Sequence, residues 1–525
     1  MEIPRSTLQH WLKRRDAIDA DPELVAFFES PVGVAFLHRL ILGAHFVMSL
    51  LGTCGLRLVC LFFEITGLDQ FVAVSYGAQQ KVANAIEKTV VTYGNEERDH
   101  LAEGMTPKKI TISEDETFHP EPCLVGIEPV SNFIILEKYT PDRTAEQWTS
   151  SLIEALKGLP VEVIQSTSDE GKGILHHVKE DLGAHHSPDV FHVQHELVKA
   201  TSVALASKKE KAEKEVEEAR KELEQRKAEQ EAYCNSKAGR GRPPNFDKRI
   251  EEAQARESEA VKFLDIAQVH QESAKEAIHG ISNDYHPYNL ETGAPKSAEE
   301  VCLALEKHFA AIEKVALGAN LPERCIKKIE KAKRVMSAMI GTIAFFFLTI
   351  KAKAASLLLS EDLTWIVSHN MIPGIYLRIA SAKAKNAAER KKLKDRSEEL
   401  LVPLLARDGP LSGLEERDRL LIWHVAEECA QIFQRSSSCV EGRNGQLALR
   451  HHSLHKLRDQ KLAALTTVHN YYVKRSDGTT AAERFFGKQP RDLFEYILDR
   501  VDLPGRPAKK RAQTQSQDYL LRSAA

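Results

Sequence analysis

The sequence predicts an α/β core interrupted by a large all-α insertion and preceded by an all-α N-terminal domain. Three observations carry this prediction. Residues 108–198 alternate apolar runs of strand length with amphipathic stretches of helical period. Residues 207–233 are dense in Lys and Glu and hold only a thin apolar seam. Residues 1–105 carry apolar side chains at helical spacing. A chain of 525 residues is expected to hold about three or four units.

In the N-terminal domain, residues 24–29 and 32–51 read as helices, followed by a helix, a Thr66-Gly67 break, a short helix and a longer one. That spacing is compatible with a helix-turn-helix whose last helix enters the major groove. Gln79, Gln80, Lys81 and Asn84 would then be exposed and able to bond base edges. A plain helical packing domain explains the same pattern.

The core follows in residues 106–200. KKITISEDETF is a strand expected to end at Asp115, and CLVGIEPV and NFIILEKY are two more. The helix AEQWTSSLIEALKG, the strand VEVIQSTSD ending on Asp169, the helix GILHHVKEDLG and a fifth strand DVFHVQHEL complete the series. This is the element order of an RNase H-like core. In that arrangement the ends of the first and fourth strands are neighbours, which would bring Asp115 and Asp169 together. Paired carboxylates suit hard divalent cations and two-metal phosphoryl transfer. Either Asp has a simpler alternative: Glu114, Glu116 and Glu170 are adjacent acids, and a strand-end Asp often caps the next helix.

The insertion spans 201–430. Within it, residues 205–278 read as an antiparallel coiled-coil arm. One seam runs through Ala212, Val216, Ala219, Leu223 and Tyr233, the other through Ile250, Ala253, Ala260, Leu264, Ala267 and Ala274. Each arm would be on the order of 40 Å long. At its tip, Gly239-Arg240-Gly241-Arg242-Pro243-Pro244 is similar to an AT-hook core, in which Arg240 and Arg242 would enter a narrow minor groove. The loop with Asp284, His286 and Tyr288 reads as a structured connector, and the basic run 383–396 as either a DNA-facing or a solvated helix.

The last part of the core is expected over 431–502, with Glu441 at the start of a long helix, and 503–525 as a disordered tail. At SEDETFHP, QSTSDEGKG, DVFHVQHEL and VEGRNG the chain resembles the DDE transposases of bacterial insertion sequences. The resemblance covers roughly residues 108–501 as a split RNase H-like catalytic core. It implies Asp115, Asp169 and Glu441 as catalytic metal ligands, with two Mg²⁺ ions (or Mn²⁺) and DNA cleavage followed by strand transfer. It also implies DNA partners, both element ends and target, and a homo-oligomer. Many such enzymes place Lys or Arg two turns after the Glu, where this chain has Ala448; Arg443 or Arg450 would substitute. Arg450 and Lys456 begin a basic face, continued by Arg458 and Lys461, that would meet a phosphate backbone. The competing readings are a catalytically inactive, transposase-derived DNA-binding protein, an RNase H-like nuclease, and a structural coiled-coil protein.

Composition bounds these readings. A formal net charge of −3 excludes a uniformly cationic nucleic-acid coat, so DNA binding would rest on local basic patches. The eight cysteines form no C-x-x-C pair, which argues against a zinc ribbon and fits a reducing cytosol. The opening MEIPRSTLQHWLKRRD lacks the character of a secretory signal. The apolar stretches 32–51 and 336–350 read as buried helices, which leads to the expectation of a cytoplasmic, nucleoid-associated protein without a membrane partner.

Overall fold

The computed structural model of the chain describes residues 9, 20–118, 121–236, 244–454 and 457–505. It corrects the predicted class. The chain is predominantly helical rather than α/β, and among the described residues it holds one small five-stranded mixed sheet. Neither an RNase H-like core nor an N-terminal helix-turn-helix is shown by this architecture. The chain divides into two compact units, 1–163 with 439–525, and 164–438.

The first unit opens with α1 (Pro22–Glu29) and α2 (Pro31–His45), whose last turn widens into a π-helix over Phe46–Leu51. Each of these two helices starts with Pro in its first turn behind a capping side chain, Asp21 and Ser30 respectively. Helix α3 (Leu56–Ile65) stops at Gly67, whose φ of 72° is cheap only for glycine. Helix α4 (Tyr76–Ala102) runs 27 residues behind the Ser75 cap. Val82, Ile86, Val90, Tyr93, Glu97 and Leu101 are buried at spacings of four and three, so this helix is a core element.

Strands β1 (Lys108–Phe118), β2 (Pro122–Glu128) and β3 (Phe133–Tyr139) form an antiparallel meander. β1 continues past Asp115, which pairs with Val125 in the body of the strand. Helix α5 (Ala145–Leu156) and β4 (Val161–Ser168) follow, and the unit boundary falls inside β4. In the second unit come α6 (Lys172–His176), with a π turn at His177–Asp181, and β5 (His185–Pro188), parallel to β4. The strand order is β3-β2-β1-β4-β5.

The expected fifth strand DVFHVQHEL is instead the start of α7 (Val190–Asn235), a helix of 46 residues. Val190, Val193, Leu197 and Ala200 recur at helical spacing and are buried, which outweighs the β-branched composition. Helix α8 (Phe246–Asp284) returns antiparallel, as Arg220–Glu257 and Gln230–Asp247 contacts require. Ala212, Val216, Ala219 and Leu223 on α7 and Ala253 and Ala260 on α8 are buried along the seam. Small residues there let the two backbones approach closely. Arg240 and Arg242 lie outside the described residues.

The rest of this unit is helical: α9 (Ala298–Gly318), α10 (Glu323–Arg334), α11 (Met336–Ser356), α12 (Glu361–Ile366), α13 (Ile372–Lys383), α14 (Ala387–Leu405) and α15 (Glu416–Ile432). One core joins them with the base of α7 and α8, around Phe309, Met339, Phe346, Met371 and Phe433. The connector before α9 is buried in it: Tyr285 and Tyr288 are fully enclosed, and His286 Nδ1 lies 2.7 Å from Tyr376 Oη. In the basic run, Lys392 pairs with Glu291 of the preceding connector, Lys394 with Glu398 and Arg396 with Glu399. Two stretches, Pro31–Leu51 and Glu323–Ser356, are long and apolar enough to cross a membrane by length and composition. Both place side chains in the cores, among them Ile41 and Leu42 in the first and Met339, Ile343 and Phe346 in the second.

The first unit closes with α16 (Ser438–Leu454), α17 (Asp459–Tyr471), α18 (Ala481–Phe486) and α19 (Leu493–Leu498). The predicted continuous helix after Glu441 is therefore two helices, and the tail from residue 506 lies outside the described residues. Helix α17 packs on α4 so closely that a Cβ on Gly94 would sit 2.5 Å from Thr467 Oγ1. Thr467 is β-branched and held by its own bond to Ala463 O, so it cannot swing aside. Gly94→Ala is expected to destabilise this unit by about 1–3 kcal/mol through overpacking. Chemical denaturation of the variant, read by hydrogen exchange at α4 and α17, checks it, and an unchanged midpoint refutes the close approach.

Candidate functional site

The alternation of β1 sends successive carboxylates to opposite faces. Glu114 is fully buried. Glu116 accepts from Trp148 Nε1 and pairs with Arg143. Asp115 is partly exposed on the other face. Its Oδ1 accepts from the Glu116 amide at 2.8 Å, and its Oδ2 accepts from Asn444 Nδ2 at 3.1 Å. Asn444 stands on α16, three residues after Glu441, and residues at that spacing share a helix face. Glu441 is exposed in the first turn of α16. Helix α16 thus carries Glu441 on the flank from which Asn444 reaches the Asp115 carboxylate.

The opposite flank holds the helix in place. Val440, Arg443 and Leu447 are buried at spacings of three and four. The Arg443 guanidinium binds Glu137 of β3 through two of its nitrogens, Nε–Oε1 at 2.7 Å and Nη2–Oε2 at 2.6 Å, and Thr466 of α17 donates to Oε2 at 2.5 Å. Glu137 is fully buried and Arg443 nearly so. This corrects the assignment of Arg443 to DNA, because its donors are committed inside the protein. Arg450 is likewise committed: it donates to the carbonyls of Leu50, Leu51 and Gly52, capping the π-helical end of α2. Lys461 pairs with Glu87 at 2.9 Å in a largely buried position. Ala448 stands two turns after Glu441 on the same flank, so neither Arg443 nor Arg450 replaces the basic residue expected there. Lys456 lies outside the described residues.

The N-terminal candidates separate in the same way. Gln79 is fully buried, bonded to His45 Nε2 and donating to Ala73 O, so it is a core residue and not a base reader. Gln80 donates to Asn84 Oδ1 across one turn, and both are accessible with Lys81. In the second unit, Asp169 follows β4 and its Oδ1 accepts from the Gly171 amide at 3.0 Å, closing the turn that leads into α6. Burial pushes the neighbouring Glu170 carboxyl above its ordinary range, against the pull of Lys179 and Lys331. Asp189 is the α7 cap: Oδ1 accepts from Phe191 N, and Oδ2 accepts from Ser437 N and Oγ.

Among the described residues no three His, Cys, Asp or Glu side chains are grouped as a metal ion would require. Asp115 and Glu441 belong to the first unit and Asp169 to the second. Asn444, which the sequence reading missed, adds an oxygen: its Oδ1 is buried with no hydrogen-bond partner among the described residues. An orphaned amide oxygen beside a carboxylate is a hard donor pair of the kind divalent cations take. The signal was the Glu-x-x-Asn spacing in VEGRN, which places both side chains on one flank.

A family model described as a family of unknown function, DUF6399, matches residues 367–513. The matched segment includes Glu441, Arg443 and Asn444 and excludes Asp115 and Asp169. No curated protein matches the chain, and no solved structure matches it.

Two outcomes follow from this geometry. Arg443→Met strands a buried carboxylate on Glu137, and the first unit is expected to lose about 3–5 kcal/mol; the double variant with Glu137→Leu should recover much of it, and a double variant no better than the single refutes the pairing. His469, buried beside this ion pair with Nε2 2.9 Å from Asn132 O, has its pKa lowered to about 4, mainly by burial and then by Arg443. The unfolded chain takes up its proton near pH 6.5 while the folded one stays neutral, so stability falls as pH drops from 6.5 to 4. The loss is about 3 kcal/mol, and His469→Gln should flatten that part of the stability–pH curve.

Proposed function

We propose that the chain is a metal-dependent DNA strand-cleaving and strand-joining enzyme, a transposase of the DDE class. The observation that carries the reading is the bond from Asn444 to Asp115, which brings the Glu441 flank of α16 to the β1 carboxylate. Asp115 and Glu441 would supply the ligand oxygens, Asn444 would orient Asp115, and the Arg443–Glu137 pair would fix α16. Asp169 is the third carboxylate of the proposal. Bound Mg²⁺ or Mn²⁺ would make the attacking oxygen a better nucleophile and stabilise the leaving oxygen at phosphorus. The partners are DNA ends and target DNA, with the chain acting as a homo-oligomer in the cytoplasm. No protein nucleophile is needed for this chemistry.

A second reading, a DNA-binding protein without catalysis, is favoured by one observation. The Asp169 carboxylate is engaged in a local turn, accepting from the Gly171 amide.

One assay separates the two. Duplexes tiled across the DNA flanking the gene are incubated with the protein and Mg²⁺, and nicked and joined products are resolved. Metal-dependent products from the wild type that vanish in Asp115→Asn, Asp169→Asn and Glu441→Gln are the expected result. Binding with no product in the wild type sinks the catalytic reading and leaves the second.

A further inference from the structure

Helix α10 is the most cationic element among the described residues that the proposed site does not use. Its twelve residues carry Arg324, Lys327, Lys328, Lys331, Lys333 and Arg334 against Glu323 and Glu330, in a chain whose formal charge is −3. The charges are sorted by face. Cys325, Ile329 and Ala332 are buried, while Arg324, Lys327, Lys328, Lys331 and Arg334 are all exposed. At 100° per residue those five positions occupy about one third of the helix circumference, opposite the buried stripe. Lys327 pairs with Glu323 and Lys333 with Glu313, and no ion pair holds Arg324, Lys328, Lys331 or Arg334 among the described residues. Cations left unpaired in a row repel one another, and a surface selected only for solubility would intersperse the signs.

We infer that the exposed face of α10 is a docking surface for the phosphate backbone of duplex DNA. From Arg324 to Arg334 the helix rises about 15 Å. Over that length a duplex presents on the order of nine phosphate charges, so the four cations without an ion pair meet a complementary line. Its place in the unit agrees. Lys331 lies within electrostatic reach of Glu170, two residues past β4, and Lys328 within reach of Glu196 of α7. An anionic membrane is the less suitable occupant. The stripe itself is made of cations, and the large apolar residues Ile329 of α10 and Met339, Ile343 and Phe346 of α11 are spent in the core rather than beside it. The inference rests on the proposed function only in naming DNA.

The test is the salt dependence of binding to a duplex of about 30 base pairs of arbitrary sequence. The wild type is compared with the triple variant Arg324→Gln, Lys328→Gln, Lys331→Gln, and with Lys214→Gln, Lys221→Gln, whose lysines are paired on the arm with Glu210 and Glu217. All these side chains are exposed, and unchanged thermal unfolding establishes that the variants fold. The triple variant should bind at least about tenfold more weakly at moderate salt, with a log–log salt slope shallower by about 2.7, while the arm variant keeps the wild-type slope. A triple variant with the wild-type slope overturns the inference. So does a wild type that binds phosphatidylserine vesicles through α10 and shows no α10-dependent DNA slope. If the wild type binds DNA through α10 but never cuts it, the inference stands and the catalytic reading falls. If it cuts DNA and the triple variant binds unchanged, the reverse holds.

Discussion

The buried pair of Arg443 and Glu137 is the constraint on which the first unit's candidate site depends. Two charges removed from water are stable together only when the geometry is bidentate and the remaining lone pairs are filled. Thr466 fills one of them, which ties α17 into the same contact that joins α16 to β3. Rotate α16 by one residue and Arg443 leaves Glu137, Val440 and Leu447 leave the core, and Asn444 no longer reaches Asp115. The side chains of functional interest are therefore held from behind, by groups that never see solvent. The same guanidinium also helps keep His469 neutral, so the pair sets the local protonation pattern as well.

In the second unit a comparable role falls to Asp189. One carboxylate oxygen starts α7, and the other holds Ser437, 248 residues away in sequence. A single acid thus fixes the direction of a 46-residue helix and the path of the chain returning from the helical region. Three structural donors, Phe191 N, Ser437 N and Ser437 Oγ, converge on this one carboxylate, which is why it reads as a structural acid.

Much of the local structure was legible from period alone. The three strands of the meander and the seams of the long hairpin follow alternation and heptad-like spacing that few other conformations satisfy. The misreadings share one cause. DVFHVQHEL has strand composition and helical spacing at once, and only the burial of Val190, Val193 and Leu197 decides between them. Gln79 has the chemistry of a base reader but lies on the inner face of α4, where His45 satisfies it. Arg443 and Arg450 are cations in a basic segment, yet each finds its partners far away in sequence, at Glu137 and at residues 50–52. Such pairings cannot be read along the chain. Asn444 was overlooked because an amide is unremarkable until the carboxylate it touches is known.

The first unit is assembled from two stretches of sequence, 1–163 and 439–525, with 275 residues between them. During synthesis at ribosomal speeds of about 5–20 residues per second, β3 leaves the ribosome with Glu137 facing no partner for tens of seconds. Val125, Ile127 and Phe133 wait in the same interval for α17 and α18 to cover them. The intervening unit has all of its own core within its own stretch and is free to fold first. Nascent chains of this protein therefore pass through a stage with a finished middle and an incomplete beginning, and a chaperone that shields apolar strands would act at that stage.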